Sequence, residues 1–427
     1  MIERHELSNG LVACLSSNRS IPAVAVSLWY GVGSADEVKG RTGLAHLFEH
    51  LMFQGSLSVG KAEHFTLIQR IGGRANAATG IDRTFYYERM PSHQLELALW
   101  LEAERLAHLA EGLQQATLDN QRDVVRNERR LRIDNQPYGD AEERLQSLLY
   151  PEGHPYAHEI IGSMDDLAAA SLDDARRFFA TYYSPNNAVL SIAGDVDPPS
   201  AIRMIERHFG GLPRGAPVPP RVYPAEPPRH VGDRVEEGTS LPRLYVSYPV
   251  PPMASLTWEA AEVVADLLGR GRASRLYEAL VRSERAVAVN AWTYPLIGDP
   301  ARITIDVTGR AGADIVAITT AVREEVERLG MTGPTAAELE RVRILRRTEH
   351  ARDMERIQER ADRIGMYASL LGTPDRVDQE VARYEAVDAP EVRDFASTYL
   401  APECGVELTY VPAPPPTGPM QTRRTPT

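Results

Sequence analysis

ARRFFATYYSPNNAVLSI at residues 175–192 returns as VRDFASTYLAPECGVELT at residues 392–409. At a constant offset of 217 residues, six positions of the two stretches match: Arg176, Phe178, Thr181, Tyr182, Pro185 and Val189 against Arg393, Phe395, Thr398, Tyr399, Pro402 and Val406. Each stretch has the pattern of an amphipathic helix, a proline turn and an alternating strand. We interpret the match as duplication of an α+β domain. Chance similarity of two helix–turn–strand units is the alternative.

A proline-rich segment separates the two copies. Residues 213–228, PRGAPVPPRVYPAEPP, hold seven prolines in sixteen positions. Because proline fixes φ and removes a backbone donor, this segment is predicted to be an extended, semi-rigid linker. The halves are then expected at residues 1–212 and 229–411. Residues 412–427 have no core-forming composition and are predicted to be a disordered tail.

Composition limits the function classes. The 427 residues are 43% hydrophobic and 25% charged, with a net charge of −12, which is typical of a soluble globular protein and disfavours nucleic acid and anionic membranes as partners. The sequence shows no apolar run long enough for a membrane helix, no secretory signal and only two cysteines. We expect a cytoplasmic protein. Two lysines among 47 basic residues indicate the arginine-rich coding of a GC-rich bacterial genome.

The segment GLAHLFEHLMFQG, residues 43–55, carries the chemistry. On a helix, His46 and His50 are one turn apart and project from the same face, with Glu49 beside them. Two imidazoles so placed can chelate one metal ion, in the inverted zinc motif H-x-x-E-H. Coincidence on an amphipathic helix is the alternative, but burying these three polar residues among apolar neighbours would be costly without a metal or other partners.

A catalytic zinc site needs a third protein ligand, and the candidate is Glu128. This glutamate ends the run Val124-Val125-Arg126-Asn127-Glu128, with 77 residues between His50 and Glu128. Taken alone, Glu128 is equally consistent with a solvated helix face.

Together, these segments resemble the pitrilysin/insulinase family of zinc peptidases, in the smaller branch that includes mitochondrial processing peptidases. The resemblance rests on the H-x-x-E-H motif, the later V-V-x-x-E run, and the stretches GVGSADE at 31–37 and GGRANAATGIDRTFYY at 72–87. It implies two homologous α+β domains in a clamshell arrangement, each with a mostly antiparallel sheet flanked by helices. The strands and helices also follow one another in blocks, which favours α+β layers.

The resemblance also implies roles for individual residues. His46, His50 and Glu128 would bind Zn²⁺, and Glu49 would be the general base of a zinc endopeptidase acting on extended peptides or leader segments. Asn76, Ala77 and Thr79 match the segment at which such enzymes bind peptide as an added strand, although they would also suit an ordinary edge strand. Gln121 stands where relatives usually carry a glutamate that supports the metal ligands.

Assembly is predicted from the second half. Active relatives present an arginine and, seven residues later, a tyrosine to the substrate. Arg282 fits the arginine position, but Val289 stands where the tyrosine is expected. We therefore expect the zinc-carrying subunit of a heterodimer with a homologous, zinc-less partner. The alternative is a homodimer that uses Arg282 alone or with Tyr294.

One rival function comes from a different class. Noncatalytic structural or peptide-binding proteins also resemble this family, but such relatives typically lose the motif. Here the three motif residues His46, Glu49 and His50 and the third ligand Glu128 are all present, which favours the enzyme.

Overall fold

The first half of the chain forms a six-stranded sheet with helices packed on it. The computed structural model describes residues 2–224 and 232–413. In the first half the elements are β1 (Glu3–Glu6), β2 (Val12–Ser17), β3 (Ala23–Tyr30), α1 (Leu44–Leu51), α2 (Glu63–Arg70), β4 (Arg74–Thr79), β5 (Thr84–Pro91), α3 (Leu95–Gly112), α4 (Gln115–Arg129), α5 (Ala141–Leu149), α6 (Met164–Ala169), α7 (Leu172–Tyr182), β6 (Ala188–Gly194) and α8 (Pro198–Phe209).

The second half forms a five-stranded sheet with its own helices. Its elements are β7 (Gly232–Glu237), β8 (Arg243–Val250), α9 (Trp258–Gly269), β9 (Ala286–Tyr294), β10 (Ala301–Gly309), α10 (Ile315–Thr332), α11 (Ala336–Glu355), α12 (Ile357–Leu371), α13 (Arg376–Ala386), α14 (Ala389–Tyr399) and β11 (Val406–Pro412). Short π-helical turns follow α4 at Arg130–Asp134 and precede β9 at Tyr277–Val281.

The second sheet repeats the order of five of the six strands of the first sheet, which has β1 as an additional edge strand. The strand orders are β1-β2-β6-β3-β5-β4 and β7-β11-β8-β10-β9. Each sheet has one parallel pair, β2 with β6 and β7 with β11, and the other pairs are antiparallel. The predicted α+β fold of two related domains, each with a mostly antiparallel sheet, is confirmed.

The repeated sequence stretches lie at equivalent places in the two domains. The first stretch forms α7 and β6, and the second forms α14 and β11. Each of these strands is an inner strand of its sheet. Strand β6 lies between its parallel neighbour β2 and its antiparallel neighbour β3, and β11 lies likewise between β7 and β8. The strands β4 and β9 are the equivalent edges, and each contains an Asn-Ala-x-Thr sequence.

Each half of the chain contributes a helix that packs on the sheet of the other half. Helix α12 of the second half lies on β3 and β6 of the first sheet, where Ser27 Oγ donates to Asp362 Oδ1 at 2.7 Å. In the other direction, α5 of the first half packs against β8 and β11 of the second sheet. A division of the chain at residues 213–228 does not anticipate this exchange of helices, because the contacts join residues that lie far apart in the sequence.

The proline-rich linker is tied to the first domain. Its described residues, 213–224, have no regular secondary structure, and Arg221 forms ion pairs with Asp36 and Asp82. Residues 225–228 of the predicted linker lie outside the described residues. So does the predicted tail from residue 414 onward, whereas Pro412 is the last residue of β11.

No helix within residues 2–224 and 232–413 combines the length and the apolar character needed to span a membrane.

The contact between α12 and the first sheet generates a stability prediction. A Cβ on Gly365 would collide with the indole ring of Trp29, which is buried and stacked on Phe85 with 4.3 Å between ring centroids. We expect Gly365→Ala to destabilise the protein by about 1–3 kcal/mol, because overpacking outweighs the helix propensity that alanine gains.

Thermal unfolding should show this loss as a midpoint lowered by a few degrees. The control is Gly211→Ala, since Gly211 has no atom within 4 Å of an added Cβ and no positive φ. An unchanged midpoint for Gly365→Ala would mean that α12 does not rest on Trp29 as described.

Candidate metal centre

Helix α1 directs its polar residues to one side and its apolar residues to the other. Leu47, Phe48 and Leu51 are fully buried in the first-domain core, and the Phe48 ring stacks on Phe178 with 5.4 Å between centroids. Because residues three and four apart share a helix face, this packing leaves His46, Glu49 and His50 on the opposite side. The apolar spacing of the sequence thus fixes the direction of all three polar side chains.

Glu128, on helix α4, lies next to the two histidines of α1. Its Oε2 atom lies 3.3 Å from His50 Nε2 and 3.8 Å from His46 Nε2. One ligand atom from each of the three residues can be chosen so that all lie within 4.8 Å of one another. The site is mostly shielded from solvent, with side-chain exposures of 11% for His46, 22% for His50 and 15% for Glu128.

The charge states suit a metal ligand set. Burial, and next the neighbouring His50, lower the pKa of His46 to about 4, so this imidazole is neutral at physiological pH. Hydrogen bonding to His50 is the main cause that lowers the pKa of Glu128, so its carboxylate is ionised. Two imidazole nitrogens and one carboxylate oxygen are a donor set that zinc accepts in catalytic sites. The residues present therefore fit a zinc ion.

Glu49 is held next to the ligands by a strand. The hydroxyl of Thr79, the last residue of β4, donates to Glu49 Oε2 at 2.7 Å. Burial raises the pKa of Glu49, while this hydrogen bond opposes the shift because it stabilises the carboxylate. A carboxylate with a raised pKa is a better proton acceptor than an exposed one.

A cavity of about 660 Å³ opens onto these residues. It is lined by His46, Glu49, His50, Asn76, Ala77, Ala78, Thr79, Glu128, Arg132, Ile133, Gly139, Glu159, Ile160 and Ile161. The structure thus brings the predicted ligands, the predicted base and the predicted strand residues Asn76, Ala77 and Thr79 to one surface.

Arg132 is a lining residue that the sequence did not point to. Its guanidinium lies 2.6 Å from Glu128 Oε1, whereas the histidine contacts are to Oε2. The i, i+4 spacing of Glu128 and Arg132 was the available signal, but such spacing is common on solvated helices and singles out nothing.

Two predicted residues lie away from the cavity. Gln121 is buried on α4, two turns before Glu128, and its amide donates to Asn120 at 3.0 Å. Arg282 is on the second domain, 71% exposed, and forms an ion pair with Glu278 at 2.7 Å. Neither is among the described residues that line the cavity. The roles proposed for both residues stay predictions.

A second group of residues has metal-like spacing but needs no metal. His64, Glu88 and Glu102 are buried with ligand atoms within 4.8 Å of one another. Here the guanidinium of Arg105 already pairs with Glu102, and His64 Nε2 lies 2.9 Å from Glu88 Oε1. Arg105 and one shared carboxyl proton would make this network neutral, so a divalent ion would add uncompensated charge to a dry interior.

Comparisons with known proteins place the chain among the M16 peptidases. Residues 12–159 match the family described as insulinase (peptidase family M16), and residues 169–345 match the peptidase M16 inactive domain. The chain is 28% identical over 379 residues to the zinc protease PqqE of Helicobacter pylori, covering 87% of this chain and 84% of that protein. It is 24% identical over 410 residues to the uncharacterized zinc protease YmxG of Bacillus subtilis, covering 96% and 98%.

One solved structure is similar to this chain over both domains. The crystal structure of a protease from Helicobacter pylori superposes with a TM-score of 0.91 at 26% sequence identity, covering 96% of this chain and 100% of that chain. Both domains and their relative placement are therefore shared with that protease.

The two metal-like groups can be told apart by zinc analysis. We expect the purified protein to bind one zinc per chain, because, of the two groups found among the described residues, the one with His64, Glu88 and Glu102 is closed off and paired with the buried Arg105, whereas His46, His50 and Glu128 open onto the cavity. His50→Ala should abolish this binding, whereas His64→Gln should retain it. Atomic absorption after dialysis measures the stoichiometry, and circular dichroism confirms that both variants fold. A second zinc that disappears in His64→Gln would show that Arg105 does not keep a metal ion out of the second group.

Proposed function

Because the chain belongs to the insulinase (M16) family of peptidases, with one domain of each type, we propose that it is a zinc-dependent endopeptidase that cleaves extended peptides. The observation that carries the proposal is the meeting of His46, His50 and Glu128 beside Glu49 in a cavity bordered by the edge strand β4. A purely structural zinc site would need no base next to the metal and no substrate strand.

The residues divide the chemistry among them. His46, His50 and Glu128 would hold zinc, which supplies Lewis-acid chemistry by polarising the substrate carbonyl and a nearby water. Glu49 would accept a proton from the attacking water and return it to the leaving amine, a role that its raised pKa favours. Thr79 would keep the carboxylate of Glu49 oriented through its hydrogen bond.

Strand β4 offers the means to hold a peptide. Within the described ranges β4 pairs only with β5, so its other edge has no strand partner. An extended peptide could add to this edge through backbone hydrogen bonds, which are largely independent of sequence. Since Thr79 ends β4 and also contacts Glu49, a peptide bound there would pass the proposed base.

The cavity has no wall from the second domain among the described residues. All of its lining residues come from residues 46–161, so the second domain of the same chain contributes none of the described wall. Arg282 is exposed and paired with Glu278, and Val289 has no hydroxyl to donate to a developing oxyanion. Such a donor is worth on the order of 3 kcal/mol. We propose that a homologous, zinc-less sister chain closes the cavity and supplies this donor.

The role of Glu49 can be tested separately from metal binding. Glu49→Gln should keep one zinc per chain and lower peptide hydrolysis by about a thousandfold, because glutamine cannot accept the proton. Zinc content and cleavage of an unfolded reporter peptide are measured on the same sample. The control is Glu152→Gln, whose side chain is 84% exposed and lies outside the cavity. An active, zinc-loaded Glu49→Gln variant would refute the mechanism.

The assembly can be tested by reconstitution. The zinc-loaded chain alone should hydrolyse peptide weakly, and addition of a homologous chain that lacks the H-x-x-E-H motif should raise kcat by about a hundredfold, the equivalent of the missing donor. Full activity of this chain as a homodimer, unchanged on adding the sister chain, would favour the alternative in which Arg282 acts alone or with Tyr294.

A further inference from the structure

The N-cap residue of helix α1 has no side chain that could cap the helix. This residue is Gly43, in the left-handed region with φ +87, and no side chain there accepts a hydrogen bond from the helix. Glycine is needed because a Cβ would lie 2.6 Å from the carbonyl oxygen of Ile161. The first N–H groups of any helix lack intrahelical acceptors, so this eight-residue helix depends on an acceptor from elsewhere.

Glu37 supplies that acceptor from the preceding loop. Its Oε2 accepts from the N–H of Gly43 at 2.7 Å, and its Oε1 accepts from the N–H of Ala45 at 2.7 Å. Ala45 directly precedes His46 in the chain. The Glu37 side chain has no exposed surface, so its carboxylate, and not bulk water, satisfies these two N–H groups.

The electrostatics reinforce these two bonds. The positive end of the α1 dipole favours a carboxylate at this position. Burial raises the pKa of Glu37, and the two N–H groups act in the opposite direction because they stabilise the ionised form. His158 is also near, with Nδ1 3.8 Å from Glu37 Oε2.

We propose that Glu37 is a positioning residue of the metal centre, which holds the first turn of α1 so that His46 and His50 meet Glu128. The inference rests on the proposed zinc-binding role of these three residues. The bond to Ala45 fixes the backbone next to the first ligand, and the apolar face of α1 fixes its remaining turns against the core. Glu128 comes from a different helix, so any displacement of α1 changes the distances among the three ligands.

A positioning role differs from ordinary stabilisation of the loop, and Asp166 provides the comparison. Asp166 Oδ2 accepts from the N–H of Thr42 at 3.0 Å and from its hydroxyl at 2.6 Å. It therefore holds the same loop one residue before Gly43 but makes no hydrogen bond to an N–H of α1. Loss of Asp166 should weaken the loop without moving the ligand helix.

The experiment compares Glu37→Gln with Asp166→Asn in the full chain. Glutamine keeps the volume of Glu37 but offers one acceptor, and its amide N–H groups face the helix N–H groups. We expect Glu37→Gln to raise the zinc Kd tenfold to hundredfold, the range found for residues that orient metal ligands. The visible absorption spectrum of the cobalt-substituted protein should shift as well, and kcat should fall while KM stays within twofold. Asp166→Asn should lower only the unfolding temperature.

A Glu37→Gln variant that loses thermal stability but retains the wild-type zinc Kd and cobalt spectrum would overturn the proposal. If that variant does not fold, Glu37→Asp takes its place, since it keeps the charge on a shorter side chain. Glu37→Asp should also weaken zinc binding and alter the cobalt spectrum, and its failure to do either would equally overturn the proposal. Because Kd and spectrum are measured without substrate, a zinc-binding wild type that cleaves no peptide would refute the proposed function and leave this inference intact.

Discussion

Burial of a short helix that carries three ionisable side chains is the constraint on which the first domain depends. Helix α1 can bury Leu47, Phe48 and Leu51 only if His46, Glu49 and His50 are buried or half-buried with them. Removing such groups from water costs several kcal/mol unless each finds a partner. The partners of the side chains come from other elements, Glu128 from α4 for the histidines and Thr79 from β4 for Glu49. Glu37 from the preceding loop accepts from backbone N–H groups at the start of the same helix. The same contacts that offset the desolvation also fix the positions of the proposed ligands and base.

The equivalent helix of the second domain has two acidic residues paired with an arginine. Helix α9 follows β8 as α1 follows β3, and it carries Glu262 and Asp266 with the i, i+4 spacing of His46 and His50. The guanidinium of Arg346 lies between these carboxylates, with Nε 2.5 Å from Asp266 Oδ2 and a terminal nitrogen 3.3 Å from Glu262 Oε1. A cation belonging to the chain stands where the first domain would need an ion. One fold therefore carries the proposed metal centre in one copy and an internal ion-pair network in the other.

The sequence predicts features that repeat along the chain better than contacts between distant segments. The duplication and the helix that carries the H-x-x-E-H motif were predictable because periodicity and turn residues are local signals. Glu128 could be chosen only through the family resemblance, since one glutamate on a polar helix looks like many others. Arg132 gave no usable signal, and Glu37 was only the last residue of a family-like stretch without a role, because their partners become neighbours only when loop and helices pack. The exchange of α5 and α12 between the sheets was missed for the same reason, as a proline-rich linker suggests independent halves.

The linker also acts on the site through Arg221. This guanidinium pairs with Asp36, the residue before Glu37, and with Asp82, three residues after Thr79. Asp82 accepts in addition from the backbone N–H of Ile297 in the second domain, at 2.9 Å. Both carboxylates are almost fully buried, and leaving a buried charge without its partner costs about 3–5 kcal/mol. The loop that caps α1 and the loop that follows β4 are thus joined by one buried cation. The residues that orient His46 and Glu49 are therefore held in place by the junction between the domains as well as by the first domain itself.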